Sequence, residues 1–255
     1  MKETTTGGPA VEAADVVAGY GRTRVLDGLA LAVAPGAVYA LVGRNGEGKS
    51  TLVASLMGFR PVVRGRVRLL GADPWRERTR LMRSVGFLAE TPDAPPDATL
   101  ARLDHLSTRL FDTWDRPGFE ARLKRFGIPL DRRFAALSRG QRGLASLALA
   151  LGHAPSLLIF DDPTLGFDPI ARATFEEEIV AELADRGATI FLTSHDLDAV
   201  ERIADRVGIL HRGRLAAEGT PDEVRSGAGE ISADDTARPS LEDLLRDLTT
   251  ERGAA

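Results

Sequence analysis

Gly43-Arg44-Asn45-Gly46-Glu47-Gly48-Lys49-Ser50-Thr51 is the stretch that decides the fold. It matches G-x-x-x-x-G-K-[ST], follows directly on the apolar run Val38 to Val42, and opens the helix-like segment Thr51 to Met57. Strand, glycine loop and helix is the context this pattern requires. The glycines let backbone N–H groups turn inward around phosphate oxygens, and the following helix adds the positive end of its dipole. Lys49 supplies a compact charge and Ser50 a hydroxyl suited to Mg²⁺. Together these residues imply a site for nucleotide phosphates.

The rest of the composition narrows the class of nucleotide. Of 33 basic residues among 255, only Lys2, Lys49 and Lys124 are lysines. Reading guanine through Asn-Lys-x-Asp needs a lysine after an asparagine, and these three follow Met1, Gly48 and Leu123, so that class is excluded. A net charge of −4 is a poor match for bulk nucleic acid, whose binding is dominated by phosphate neutralisation. The absence of cysteine removes thiolate zinc sites and thiol nucleophiles. At 43% hydrophobic, a chain of this length can bury the core of one large domain, with or without an inserted subdomain. Met1 to Pro9 lacks the apolar segment of a signal peptide, and no run reads as a membrane span, so a cytoplasmic protein is expected.

Outward from the loop, strand-like runs at Val38 to Val42, Val85 to Ala89, Leu157 to Phe160, Ala188 to Thr193 and Val207 to Leu210 alternate with helix-like segments, the pattern of a largely parallel α/β sheet. Val11 to Val17, Ala30 to Val33 and Arg66 to Leu70 are short and turn-bounded, which predicts a small antiparallel sheet. Thr99 to Ala136 reads as helical and follows the breaker-rich Thr91 to Asp97. Arg225 to Arg238 reads as a linker before a last helix capped by Ser240.

Two further features carry chemistry. Leu157 to Asp162 is an apolar strand ending in two acids, able to hold Mg²⁺ through water. Leu137-Ser138-Arg139-Gly140-Gln141-Arg142 opens an apolar helix over Gly143 to Leu151, with Ser138 and Gln141 at the spacing of a capping box. Thr193-Ser194-His195 then ends a later strand. His105, His153 and His211 read as surface, helix-end or loop residues without metal-ligand spacing. Eight arginines between Arg60 and Arg83 face only Asp73 and Glu77. Such a run is either a solvated face or a face for anionic lipid headgroups.

Taken in order, these motifs resemble the nucleotide-binding subunits of ATP-binding cassette (ABC) transporters, from about Val11 to Val224. The resemblance implies an α/β P-loop NTPase with a mainly parallel core sheet, a small antiparallel β subdomain and an inserted helical subdomain. It places the nucleotide-binding domain over residues 9–224, the helical insertion at about 92–150, and the linker and tail over 225–255. It implies ATP and Mg²⁺ as cofactors. Gly43, Arg44, Asn45, Gly46, Glu47, Gly48, Lys49, Ser50 and Thr51 would hold phosphates, and Tyr20 would stack on adenine. On its residues alone, Tyr20 between Gly19 and Gly21 reads equally as a turn residue on the small sheet. Leu137 to Gln141 corresponds to the signature motif, whose Ser138, Gly140 and Gln141 cap the γ-phosphate held by a second copy in a head-to-tail dimer. Asp168 belongs to the D-loop, Thr164 to Asp168. Ser50, Asp161 and Glu90 would hold the metal, and Asp162, His195 and Glu90 would be catalytic.

Three positions depart from the family pattern: Arg139 replaces a signature glycine, Asp162 replaces the usual catalytic glutamate, and Glu90 replaces a glutamine. Glu90, with Ser240-Leu241-Glu242-Asp243-Leu244-Leu245 in the tail, resembles subunits of ABC-2-type exporters. The function implied is ATP hydrolysis powering export through separate membrane-spanning permease subunits, from the inner face of the membrane and with no nucleic-acid partner. Asp162 predicts slowed turnover, and the alternative is an ATP-dependent dimerisation switch acting on a partner protein.

Overall fold

In the computed structural model, residues 8–92, 94–195, 197–226 and 230–231 are described. The predicted helix after Ser240 lies outside them. The chain divides into two compact units, Met1–Leu81 with Thr189–Ala255, and Met82–Ala188. Element labels run in chain order.

The first unit holds β1 (Val11–Tyr20), β2 (Thr23–Val33), β3 (Val38–Val42), α1 (Lys49–Leu56), β4 (Arg64–Leu69), α2 (Arg78–Leu81), β7 (Thr189–Ser194), α7 (Leu197–Val200), β8 (Arg206–His211), β9 (Arg214–Gly219), α8 (Pro221–Arg225) and β10 (Glu230–Ile231). Strands β2, β1 and β4 form the antiparallel sheet expected from their alternating, turn-bounded sequences. Strands β1 and β2 outrun their predicted spans, because β1 bends at Asp15 (φ 51°) and β2 passes through Gly28 (φ 81°), bulges that interrupt the apolar alternation but not the pairing, while β4 starts two residues before its predicted span and ends one residue short of it. In the second sheet β3 lies between β7 and β8, parallel to both, and the edge beyond β8 is formed by antiparallel β9 and β10. The five residues of β3 are all buried, which is why it reads as a continuous apolar run without alternation.

Strand β9 was not foreseen. Arg214-Leu215-Ala216-Ala217-Glu218-Gly219 has no β-branched residue, and it is a strand because Arg212 (φ 47°) and Gly213 (φ 75°) make a two-residue turn that folds it back on β8. Both positive φ values match a type I′ turn, whose twist suits a hairpin.

The second unit holds β5 (Val85–Leu88), α3 (Leu100–Leu110), α4 (Arg116–Arg125), α5 (Arg139–Leu151), β6 (Leu157–Asp161) and α6 (Pro169–Arg186). Strands β5 and β6 pair in parallel. The predicted helical stretch is α3 and α4, each N-capped by a side chain, Thr99 onto Arg102 N–H and Asp115 onto Gly118 N–H. Helices α4 and α6 are joined by a buried ionic cluster, in which Arg122 reaches Glu178 (2.7 Å) and Glu182 (3.3 Å). An aromatic group of Phe111, Trp114, Phe119 and His153 packs nearby.

His153 lies just past the end of α5, a helix-end position as expected but not a surface one, and His211 is a strand residue and not a loop one. His153 is buried, stacks on Phe111 with ring centroids 4.1 Å apart, and lies 3.2 Å from the carbonyl of Val85. Burial holds it below the ordinary imidazole value, so it serves the core as a neutral ring. His211 ends β8 with its Nδ1 3.4 Å from Glu47. Seven of the eight arginines of the run are exposed and Arg60 is half-buried. Arg64, Arg66 and Arg83 bridge to Asp15, Glu12 and Asp112, three carboxylates from outside the run that halve its net positive charge.

Candidate functional site

The phosphate loop in the first unit is set by its glycines. Gly46 (φ 88°) and Gly48 (φ 114°) take conformations that L side chains rarely adopt. Gly43 passes so close to β8 that a Cβ there would lie 2.7 Å from the Leu210 carbonyl oxygen. Gly48 is the N-cap of α1, and without a side chain to cap it, the first-turn N–H groups of α1 face the loop. Lys49 is buried, its Nζ donating to the carbonyls of Gly43 (2.5 Å) and Arg44 (3.2 Å), which holds the ammonium at the centre of the loop. A buried cation beside uncapped helix amides fits a polyphosphate, and Ser50 and Thr51 sit in the same first turn.

Parallel register brings further residues to this end of the sheet. Val42 is paired with Ser194 of β7, Gly43 N–H donates to Ser194 O (3.1 Å), and His195 follows at once. The loop and His195 therefore share the carboxyl edge of adjacent parallel strands, the usual place for ligands in α/β sheets. Tyr20 ends β1 and is 59% exposed, leaving a ring face available. Its other contact is Arg60, whose guanidinium lies 4.0 Å from the ring centroid and donates to Gly19 O. Arg60 was missed as a partner of Tyr20 because forty residues separate the two and only the fold brings them together.

The second unit assembles the other candidates. Asp161, buried, ends β6, and Glu90, exposed, lies two residues beyond its parallel neighbour β5. Asp162 is buried and takes φ 45°, a left-handed conformation that aspartate tolerates better than most residues. Ser138 caps α5 as foreseen: its side chain accepts from Gln141 N–H (3.2 Å), and the Gln141 side chain accepts from Ser138 N–H (3.1 Å). Asp168 caps α6, its Oδ1 accepting from Ile170 N–H (3.0 Å) and Ala171 N–H (2.9 Å).

These two caps are neighbours. A Cβ on Gly140 would stand 3.6 Å from Asp168 Oδ2, Gly143 faces the ring of Phe167, and the guanidinium of Arg139 lies over Gly166, where a Cβ would come within 2.7 Å of it. Arg139 is thus laid along the turn before α6, a role that its place in the sequence did not reveal. Among the described residues no three His, Cys, Asp or Glu side chains gather into a protein metal site. Ser50 in one unit and Asp161 and Glu90 in the other carry the hydroxyl and carboxylate oxygens that suit Mg²⁺.

A glycine loop around a buried lysine, with an acidic strand end and a capped signature-like helix in the same chain, defines a P-loop nucleotide-binding protein. The chain belongs to the ABC transporter family, whose model matches residues 26–165. It is 35% identical over 237 residues to the Nod factor export ATP-binding protein I of Paraburkholderia xenovorans, spanning 88% of this chain and 75% of that protein. It is 32% identical over 210 residues to the bacitracin transport ATP-binding protein BcrA of Enterococcus faecalis, spanning 82% and 68%. Among solved structures, an ATP-binding subunit of an ABC transporter superposes with a TM-score of 0.79 at 30% identity, covering 94% of this chain and 99% of the other. A bacterial Atm1-family ABC exporter with ATP bound gives 0.78 at 25% identity, covering 97% and 43%. Members of this family are ATP-binding subunits of transporters. No helix among the described residues is long and apolar enough to cross a membrane.

Proposed function

We propose that this chain is the ATP-hydrolysing subunit of an ABC exporter, with two copies closing head to tail around ATP and Mg²⁺ and driving separate membrane-spanning permeases. The observation that carries the reading is the buried Lys49, whose ammonium is held by the Gly43 and Arg44 carbonyls in a loop that leads into α1 through the glycine N-cap Gly48. Lys49 and the amides of residues 43–51 neutralise β- and γ-phosphates, while Tyr20 offers its open face to the base. Ser50, Asp161 and Glu90 would hold Mg²⁺ through their oxygens, and the ion would supply charge neutralisation for the phosphates. Ser138, Gly140 and Gln141 of the second copy close over the γ-phosphate. Catalysis is then positioning and electrostatics, with Asp162 as the base that orients water and His195 as a contact to the γ-phosphate. The domain lies over residues 9–224, with a helical insertion at about 92–150 and a tail over 225–255. The protein works at the cytoplasmic face of the membrane. The export named for the Nod factor relative supports the direction of transport.

Asp162 gives this subunit a slow hydrolysis step. Its carboxylate is one methylene shorter than glutamate, and its left-handed backbone fixes where that carboxylate points. Misplacing a general base forfeits part of a contribution worth about 10²- to 10⁴-fold. The same feature favours a second reading, an ATP-dependent dimerisation switch that hydrolysis only resets. Lys49→Ala abolishes ATP binding and ATP-dependent dimerisation under either reading, and ATP binding that survives this change refutes both. Co-purification with a multi-spanning membrane protein supports transport, and a soluble partner alone supports the switch.

A further inference from the structure

Glu47 is an odd residue to find in a loop that receives a polyanion, since a carboxylate beside phosphates adds like charge. The structure turns it away from the loop. One carboxylate oxygen accepts the backbone N–H of Arg212, and the other lies 3.4 Å from His211 Nδ1. His211 Nε2 is buried with no hydrogen-bond partner among the described residues, so Nδ1, which faces Glu47, is the ring nitrogen that makes the polar contact.

The acceptor of this contact is supplied by the phosphate loop and the donors by the β8–β9 hairpin. In a type I′ turn the first central residue has a backbone N–H that the hairpin ladder does not use, and here that residue is Arg212. The turn is itself wedged in place. Asp27 N–H donates to Gly213 O (3.0 Å), Asp27 pairs with Arg214 (2.8 Å), and a Cβ on Gly213 would lie 3.0 Å from Leu26 Cα. On the loop side, Gly43 abuts the Leu210 carbonyl and Gly48 abuts Leu26, where added Cβ atoms would each come within 2.7 Å. The phosphate loop therefore rests at one end on β8 of the hairpin and at the other on Leu26, which also abuts Gly213, and Glu47 adds a side-chain tie near its apex.

We propose that Glu47 is a positioning residue. Its carboxylate hooks the apex of the phosphate loop onto the Arg212 N–H, with His211 Nδ1 facing its other oxygen, so that the loop amides are ordered before a nucleotide arrives. This rests on the reading of residues 43–51 as the phosphate site. Ordering a loop in its bound form improves affinity by removing that cost from binding, and the gain goes to the phosphates and not to the base.

The test is binding of ATP, ADP and inorganic tripolyphosphate to the full chain by calorimetry, with hydrogen exchange of the Arg212 amide measured in parallel. Glu47→Ala is expected to weaken all three ligands by about 5- to 10-fold, less than the whole of a charge-assisted hydrogen bond because only the cost of ordering the loop passes into binding, and to speed exchange at Arg212. Glu47→Gln keeps an acceptor and is expected to recover most of both effects, whereas a merely structural glutamate would shift thermal stability without this parallel pattern. Arg212→Gly keeps the N–H and the positive φ and behaves like Glu47→Gln. Binding to Glu47→Ala that equals or exceeds that of the native chain overturns the proposal, as does a Glu47→Gln as weak as Glu47→Ala. Lys49→Ala run beside them separates the two ideas: if it still binds tripolyphosphate the phosphate site itself is misassigned, and if it does not while Glu47→Ala binds normally, only the hook is wrong.

Discussion

Removing Arg122 exposes how α4 is held to α6. Its guanidinium is 11% exposed and lies against two carboxylates that are 6% and 3% exposed, Glu178 at 2.7 Å and Glu182 at 3.3 Å. Arg122→Ala strands both charges in the interior, and breaking a buried pair in this way costs about 3 to 5 kcal/mol. Each carboxylate keeps a second cation, Arg125 on Glu178 (2.6 Å) and Arg186 on Glu182 (3.4 Å), so the lower end, about 3 kcal/mol, applies here. At a urea slope of about 2 to 3 kcal/mol per molar, the midpoint falls by about 1 to 1.5 M. Trp114 packs on Phe119 of α4 and reports on this unit, so the measurement is fluorescence in a Trp75→Phe background.

The dependence on pH has a definite sign. Burial raises the Glu182 carboxyl above its usual 4.5 and outweighs the attraction of Arg186 and Arg122. A carboxyl raised in the folded state binds its proton more tightly there than in the unfolded chain. Its contribution to stability is therefore fully present below pH 4.5 and is lost as pH rises through the raised value. Without Arg122 that value climbs further, so the loss from Arg122→Ala is smaller at pH 5.5 than at pH 7.5. A midpoint shift below about 0.3 M at pH 7.5, or a loss that grows toward pH 5.5, would refute the reasoning.

Other substitutions probe the site directly. Asp162→Glu is expected to raise single-turnover hydrolysis by about 10-fold or more with ATP affinity little changed, and equal rates would remove the idea that the shorter acid is a handicap. Arg60→Ala frees the Tyr20 ring and is expected to weaken ATP and GTP alike by about 3- to 5-fold while leaving tripolyphosphate binding as it was, the mark of a lost stacking platform. A matching loss for tripolyphosphate would place Arg60 elsewhere in the binding energetics. Gly143→Ala drives a methyl into the Phe167 ring and is expected to cost about 1 to 3 kcal/mol by thermal melting and to lower ATPase activity through the displaced turn before Asp168; a fully active variant of native stability would show that the ring yields freely.

Much of the site was legible along the chain because its parts are local. The loop from Gly43 to Thr51 lies next to its own strand and helix, and the Ser138 and Gln141 capping box is a contact between residues three apart. Hydrogen bonds of that range depend on backbone geometry that nearby residue types set. The apolar runs of β3, β5, β6, β7 and β8 were equally plain, since strands buried on both faces have no reason to alternate.

What the sequence determined by itself, then, was the order of the parallel strands, the phosphate loop and the family to which its motifs belong. Tertiary structure alone decided the partners that stand far apart in the chain: Arg60 on Tyr20, Glu47 on Arg212 and His211, Arg122 on Glu178 and Glu182, Arg139 over Gly166, and His153 in the core. It also decided that Arg214 to Gly219 is a strand, against its weak β propensity, by pairing it with β8. The reason is the same in each case. Backbone patterns follow from neighbours in sequence, whereas the partner of a long side chain is whichever group the packed fold brings within a few ångströms of it.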